Sequence, residues 1–285
     1  MRIGVVGVGI VGGATAEVFR PYHELFLHDK FKKRYQTLES VVVNSEIIFV
    51  CVPTPMRLSG SIDLDPLRDS IHDIVHLHDH QAGPLTIVIR STAVSGTTDD
   101  LISKYPSPSL RWAFNPEFLT QANSIQDFRN SDRIVIGAND KETFEMIKRV
   151  YVESGFICPI LHVNIRTAEM VKYASNSFLA TKVSFANELY EICERVNVDW
   201  DSVASIIGMD PRIGTSHLKV PGHDGDRGFG FRCLPKDLNA LVYLAREHGY
   251  RPDLLEEIWR TNLRFRKKID WTSEISEPAP ASHVP

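Results

Sequence analysis

Apolar residues follow two rhythms along the chain. Through the first half, short β-branched runs alternate with segments of helical spacing. Ile3–Val6, Leu25–His28, Ile47–Val52, Thr86–Arg90, Leu110–Phe114 and Arg133–Ile136 read as buried strands, and Asp65–His76 and Lys141–Val150 as intervening helices. Strand–helix alternation of this kind predicts a Rossmann-type, doubly wound parallel sheet with helices on both faces. From about Asn164 the period becomes helical. Arg166 to Val196 contains no Gly or Pro and carries apolar residues near i, i+3 and i+4, enough for a helix of about 45 Å at ~1.5 Å per residue. A short helix near Asp201–Ile207, a Gly/Pro-rich loop from Gly208 to Gly230, and helices near Pro235–His248 and Pro252–Ile269 follow, the last two with Pro in the first turn. The expected fold class is therefore α/β, with a Rossmann-type domain over 1–164 and an all-helical domain, built on a long central helix, over 165–270. The polar, aperiodic TSEISEPAPASHVP after Trp271 reads as a disordered tail, 271–285.

Length and composition agree with this division. The 285 residues correspond to about two domains at roughly 150 residues each. No apolar run reaches the ~18 residues of a membrane span, and a net charge of −4 argues against a nucleic-acid surface. The cysteines Cys51, Cys158, Cys193 and Cys233 are widely spaced, which suggests neither a disulfide framework nor a zinc ribbon. The opening MRIGVVGVG begins a strand and lacks a signal-peptide pattern. A reducing cytoplasm is the expected compartment.

The first chemical signal is Gly7-Val8-Gly9-Ile10-Val11-Gly12, directly after a predicted strand and opening a helix. Gly7 permits a tight turn, Gly9 lets the backbone approach a pyrophosphate, and Gly12 lets helix and strand pack closely, with the helix N-terminus facing the phosphates. Asp29, about twenty residues on, is placed to accept hydrogen bonds from the adenine ribose hydroxyls, which favours NAD over NADP. The basic residues Lys30, Lys32, Lys33 and Arg34 beside it could accommodate a 2′-phosphate, but such a run is more often a solvated helix face.

The second half holds a polar cluster. Lys172 and Asn176 stand four apart among Val171, Ala174 and Phe178, so both project from one face of a partly covered helix and could stabilise an oxyanion; an exposed Lys with a casual Asn neighbour is the plainer alternative. Cys233 stands at the entrance of a helix, near Lys236, where its thiolate is favoured; a buried structural thiol is the equal alternative. Asp237 follows one turn later. At strand ends, Arg90-Ser91-Thr92 and Asn115-Pro116-Glu117-Phe118-Leu119 offer Glu117 as a base or water-positioning group, although each alone also fits a turn or cap. His72, His76, His78 and His80 fall in the last turns of a helix, where imidazole interacts favourably with the C-terminus, so no metal is expected.

Taken in order, GVGIVG, Asp29, CVPTP (51–55), RST (90–92), NPEFL (115–119), KYASN (172–176), DPRIG (210–214) and GFG..CLPKD (228–237) resemble the UDP-glucose/GDP-mannose dehydrogenases from residue 1 to about 268. The resemblance implies oxidation of the C6 primary alcohol of a nucleotide sugar to a carboxylate with two NAD. It implies Cys233 as the nucleophile of a thiohemiacetal and thioester, Lys172 and Asn176 as the oxyanion pair, Asp237 beside them, and Glu117 with Thr92 handling water. It implies cofactor contacts at Gly7, Gly9, Ile10, Val11, Gly12, Asp29, Val52, Pro53, Thr54, Ser91, Thr92 and Lys236. Sugar contacts are implied at Phe118, Leu119, Lys172, Asn176, Phe229 and Gly230, with Arg212 and Lys219 reaching a neighbouring subunit, and the long helix as the core of a homodimer.

The chain departs from the family in two places. Where GFGG or GYGG is usual, Phe231 replaces the last glycine and Arg232 precedes Cys233. The family also continues into a further α/β domain that grips the nucleotide, so a shortened member completed by a partner chain is expected, with turnover as well as affinity at stake. Two alternatives compete with this reading. One is a β-hydroxyacid dehydrogenase-like oxidoreductase, which shares the domain pair and the Lys-x-x-x-Asn spacing but needs no thiol. The other is a catalytically impaired, regulatory NAD-binding dimer.

Overall fold

A computed structural model of the chain describes residues 1–78 and 83–271; His80 and the tail expected after Trp271 lie outside the described residues. The chain divides into two compact units, one formed by residues 1–54 and 64–172, the other by residues 55–63 and those from 173 onward.

In the first unit the order is β1 (Arg2–Val6), α1 (Ile10–Phe19), β2 (Glu24–His28), α2 (Leu38–Asn44), β3 (Ile47–Val50), α3 (Asp65–His78), β4 (Leu85–Ile89), α4 (Thr97–Lys104), β5 (Leu110–Phe114), α5 (Ser124–Arg129), β6 (Ile134–Ala138), α6 (Lys141–Glu153) and β7 (Ile160–Val163). The sheet order is β2-β1-β3-β4-β5-β6-β7. It is parallel from β2 to β5, and the chain switches direction across the sheet at β1, where such folds open a ligand crevice at the strand C-termini. Strands β3 and β4 are buried at every position, as continuous apolar runs in a two-sided parallel sheet require.

Two features depart from the expected pattern. β6 runs antiparallel to β5. The intervening residues 115–133 hold only the six-residue α5, which packs on α1 instead of returning along the sheet, so β6 starts beyond the end of β5 and runs back. The seventh strand, β7, was not expected: it is a half-exposed edge with no continuous apolar run. The core is aromatic at its centre, where Phe19 lies 5.5 Å from Phe49, 5.6 Å from Phe128 and 5.5 Å from Tyr151 between ring centroids.

The long helix α7 (Ile165–Arg195) runs through the division between the units, and the second unit adds α8 (Trp200–Gly208), α9 (Cys233–Glu247) and α10 (Asp253–Phe265). Residues 55–63, from the sheet-forming half of the sequence, also belong to this unit and carry an antiparallel bridge, Met56 to Ile62, while α7 to α10, the elements within 165–270, are all helices. α9 starts two residues before the expected Pro235; proline is tolerated there because the first-turn amides have no intrahelical partner. α10 ends at Phe265, short of the expected Ile269. The amides of Lys267 and Lys268 donate instead to Asp226 Oδ2, at 3.0 and 2.7 Å. The unit closes over small apolar clusters, one of Ala180, Phe229, Leu238 and Ile258 and one of Ala186, Trp200, Leu218 and Val220. Among the described residues no helix is long and apolar enough to cross a membrane.

Candidate active site

The glycine loop of the first unit is arranged by steric necessity. Gly7 has φ +87°, and a Cβ there would lie 2.7 Å from the Cys51 carbonyl oxygen. A Cβ on Gly12 would come within 1.9 Å of the Gly7 carbonyl oxygen, so α1 could not start where it does. Gly9 differs: nothing lies within 4 Å of its Cβ position, it is exposed, and no side chain caps the N-terminus of α1 that it opens. An open backbone and an uncapped helix N-terminus suit a pyrophosphate.

Asp29 ends the crevice at β2. Its carboxylate accepts hydrogen bonds from the Val8 amide at 3.0 Å and the Phe31 amide at 3.0 Å. Two carboxylate oxygens offer about four acceptor sites, so capacity remains for ribose hydroxyls. The basic run is solvated but not helical: Lys30, Lys33 and Arg34 are exposed and residues 30–36 form no helix, while Lys32 Nζ turns inward to donate to the Val8 carbonyl at 2.5 Å, 3.5 Å from Asp29 Oδ2. On the opposite side of the crevice, Thr54 Oγ1 donates to the Thr92 carbonyl at 2.8 Å and Ser91 Oγ to the Val52 carbonyl at 2.7 Å, which ties the CVPTP and RST segments together beside exposed Pro53.

Behind this crevice lies a buried charge cluster. Lys172 Nζ donates to Glu117 Oε1 at 2.8 Å and to the Glu117 carbonyl at 2.6 Å, and both side chains are less than a tenth exposed. The helix is therefore covered at Lys172. Burial alone would push the Glu117 carboxyl upward; the Lys172 charge and hydrogen bond, the Leu119 amide at 2.7 Å and the Arg90 charge outweigh it and hold Glu117 below its ordinary range. Arg90 itself is buried, lies over the Phe128 ring, and donates to Asn115 Oδ1 and, at 2.8 Å, to Tyr151 Oη. Phe118 is half-buried beneath two cations, Arg133 at 4.4 Å and Lys172 at 5.7 Å from its ring centre. Cys51, buried against the glycine loop, has its thiol pushed up to about 12 by burial, which keeps it protonated.

In the second unit, Asn176 Nδ2 donates to Asp237 Oδ2 at 2.5 Å, and Lys236 Nζ donates to Asp237 Oδ1 at 2.6 Å. Asp237 is buried and held from both sides. Lys236 is thus committed to Asp237, which weakens the case for Lys236 acting on the neighbouring thiol. Cys233 is exposed and is the first residue of α9, so the buried-structural-thiol alternative is set aside. Phe229 is buried, 3% exposed, in an apolar cluster with Ala180, Leu238 and Ile258. Gly230 remains part-exposed, while Arg212 and Lys219 are exposed, with Arg212 Nη2 on Asp210 Oδ2 at 2.5 Å.

Residues that no local motif marks hold this loop. Asn187 Oδ1 accepts the Gly228 amide at 3.1 Å, and Asn262 brackets Phe229, accepting its amide at 2.7 Å and donating to its carbonyl at 2.9 Å. Arg266, with its side chain 1% exposed, pairs with Asp224 at 2.6 Å and Asp270 at 2.7 Å. A polar Asn262 on the buried face of α10, one turn after Ile258 and beside Thr261 and Phe265, is the signal that could have revealed this cradle.

Comparison with known proteins decides the family. Residues 24–154 match the NAD binding domain, and residues 166–264 the central domain, of the UDP-glucose/GDP-mannose dehydrogenase family. The chain belongs to this family. UDP-glucose 6-dehydrogenase YwqF of Bacillus subtilis is 38% identical over 79% of the chain and 50% of its own length. UDP-glucose 6-dehydrogenase AglM of Haloferax volcanii is 34% identical over 90% of the chain and 68% of its length. Among solved structures, a UDP-glucose dehydrogenase from Pyrobaculum islandicum superposes with a TM-score of 0.84 at 28% identity, covering 92% of this chain and 68% of that one. The chain spans about half the length of several curated relatives it matches. The family's NAD binding domain makes NAD the cofactor, and the open Gly9 and Asp29 fit it. Matches to both domains of one family leave the β-hydroxyacid dehydrogenase alternative without support.

Proposed function

We propose that this chain is an NAD-dependent dehydrogenase that oxidises the C6 primary alcohol of a nucleotide sugar, of UDP-glucose type, to the carboxylate. The observation that carries the reading is the exposed Cys233 at the start of α9, one turn before an Asp237 whose two oxygens are fixed by Asn176 and Lys236. A simple alcohol-to-aldehyde oxidation needs no nucleophile of this kind; an acid product does.

In this reading NAD, when bound, accepts one hydride in each of two oxidations. Residues 1–164 hold it, with Gly7, Gly9, Ile10, Val11 and Gly12 at the pyrophosphate, Asp29 at the ribose, and Val52, Pro53, Thr54, Ser91 and Thr92 around the remainder, joined by Lys236 from the helical domain. Lys172 and Asn176 donate hydrogen bonds to the substrate's C6 oxygen and so stabilise alkoxide character there. The Cys233 thiolate adds to the C6 aldehyde to form a thiohemiacetal, and loss of its C–H hydride leaves a thioester. Glu117, ionised beside Lys172, orients and deprotonates the water that cleaves the thioester to carboxylate and thiol, with Thr92 as a second contact to that water. Phe118, Leu119, Phe229 and Gly230 contact the sugar.

Residues 165–270 are proposed as a dimerisation domain. Phe178, Phe185 and Ile192 recur every seven residues along α7 and are 65%, 53% and 51% exposed; apolar side chains so spaced on one helix face suit a second copy of the same helix. Arg212 and Lys219 would then serve the neighbouring subunit's sugar site. The wide cysteine spacing supports a cytoplasmic setting.

The test is incubation of the purified chain with NAD and a panel of UDP- and GDP-sugars, followed at the NADH absorbance. Turnover of at least one nucleotide sugar is expected. NAD binding without turnover of any of them would favour the regulatory reading instead.

A further inference from the structure

Arg90, just after β4, is buried, and among the described residues no carboxylate bonds its guanidinium. Its partners are neutral. Nη1 donates to Asn115 Oδ1 and, at 2.8 Å, to Tyr151 Oη, which itself donates to Asn115 Oδ1, and the guanidinium lies 4.5 Å from the centre of the Phe128 ring. Asn115 completes the network by donating to the Val135 carbonyl at 2.7 Å. The end of β5 is thereby tied to α5, α6 and β6 through one buried cation.

A buried charge is costly unless another charge offsets it. The carboxylate that Arg90 acts on is Glu117, which Lys172 also pairs, so two buried cations face one buried anion. The other groups nearby add little charge. The Cys51 thiol is pushed up to about 12 by burial and the Tyr151 hydroxyl is also pushed up, so both are neutral, and Arg133, over the Phe118 ring, is paired with Asp132 at 2.8 Å. Arg90 also governs where Glu117 points. Asn115 is held by its side chain, and Pro116 after it has its φ locked by the ring, so the direction in which Glu117 leaves the strand is set at Asn115.

We propose that Arg90 is a positioning residue for the water step: through Asn115 it aims Glu117, and it keeps a counter-charge beside that carboxylate when Lys172 turns to the substrate's C6 oxygen. This rests on the nucleotide-sugar reading above. In that step water adds through its oxygen to the thioester carbon, and the C–S bond breaks with its electron pair leaving on Cys233 Sγ. One water proton goes to Glu117 and the other to the thiolate, and no oxidant is consumed. Loss of Arg90 therefore slows hydrolysis and spares both hydride transfers.

Two variants separate the charge from the hydrogen bonds. Arg90→Met removes both, and Arg90→Lys keeps the charge without the planar fork. Infrared titration without substrate, with Glu117→Gln as the blank, should show the Glu117 carboxyl titrating at higher pH in Arg90→Met and close to its unaltered position in Arg90→Lys. Mixed with NAD and UDP-glucose, Arg90→Met should release about two NADH per active site in a fast first phase, then turn over at least about tenfold more slowly than the unaltered chain, with an acyl adduct on Cys233 in the intact mass. An unmoved Glu117 titration, or a first phase slowed as much as the steady state, overturns the proposal. If Arg90→Met does not fold, Arg90→Lys decides: a fast two-NADH phase before a slowed steady state supports the assignment, and an unchanged steady state overturns it. No oxidation of any nucleotide sugar by the unaltered chain removes the dehydrogenase reading and the water step with it, whereas an unmoved titration removes the Arg90 assignment alone.

Discussion

Lys172 on α7 and Glu117 after β5 form a buried ion pair at 2.8 Å, with the lysine also bound to the glutamate's own carbonyl. The pair sets the protonation state of the proposed water-handling group. A carboxyl in that position without Lys172 would be pushed toward neutrality by burial; with it, and with Arg90 nearby, Glu117 is ionised and can accept a proton.

Removing one partner of such a pair leaves the other charge buried without its counterion. Glu117→Gln should lower stability by about 3 kcal/mol near neutral pH. Because Glu117 is held below its ordinary value of 4.5, its contribution is present above that pH and is lost as pH falls through the lower folded-state value. Urea unfolding of the variant and the unaltered chain should therefore show a gap that is constant from pH 6 to 8 and narrows below about pH 4.5. A gap independent of pH would contradict an ionised Glu117.

Two glycines of one loop should fail in different ways. Gly12→Ala places a Cβ 1.9 Å from a backbone oxygen and should prevent normal folding, read by circular dichroism and solubility. Gly9→Ala meets nothing within 4 Å and should fold and melt normally, yet bind NAD at least tenfold more weakly in calorimetric titration. Equal NAD affinity for Gly9→Ala would contradict a pyrophosphate at that backbone.

Cysteine reactivity should be sharply graded. Cys51 is buried with its thiol at about 12, and Cys193 is buried, while Cys233 is exposed. Brief alkylation of the native chain with iodoacetamide at pH 8, read by peptide mass spectrometry, should modify Cys233 first and spare Cys51 until the protein unfolds. Early labelling of Cys51 would contradict the packing around the glycine loop.

The apolar stripe on α7 predicts an association that a charge should disrupt. Phe185→Glu, at the centre of Phe178, Phe185 and Ile192, should shift the chain from dimer toward monomer in sedimentation velocity at micromolar concentration. A monomeric unaltered chain would contradict the stripe as a dimer seam.

Much of this architecture is legible from local pattern. The β-branched runs at Ile47 and Thr86 gave central strands because a doubly covered parallel sheet writes itself as continuous apolar sequence, and α7 is visible from thirty residues free of Gly and Pro. The edge strand at Ile160 is not legible, since one exposed side breaks the run, and neither is the reversed direction of β6, which depends on where α5 packs. In the candidate site, Lys172, Asn176 and Asp237 were marked by spacing. Asn187, Asn262 and Arg266 were not, because they meet the loop before Cys233 from positions 33 to 42 residues away in sequence.

The proposed oxidation passes through Cys233 and ends at the acid. The most direct measurement is the number of NADH formed per nucleotide sugar consumed, in the unaltered chain and in Cys233→Ala. About two NADH per sugar, with no acid formed by the variant, is the predicted result. One NADH per sugar in the unaltered chain, or full acid formation by Cys233→Ala, would contradict it.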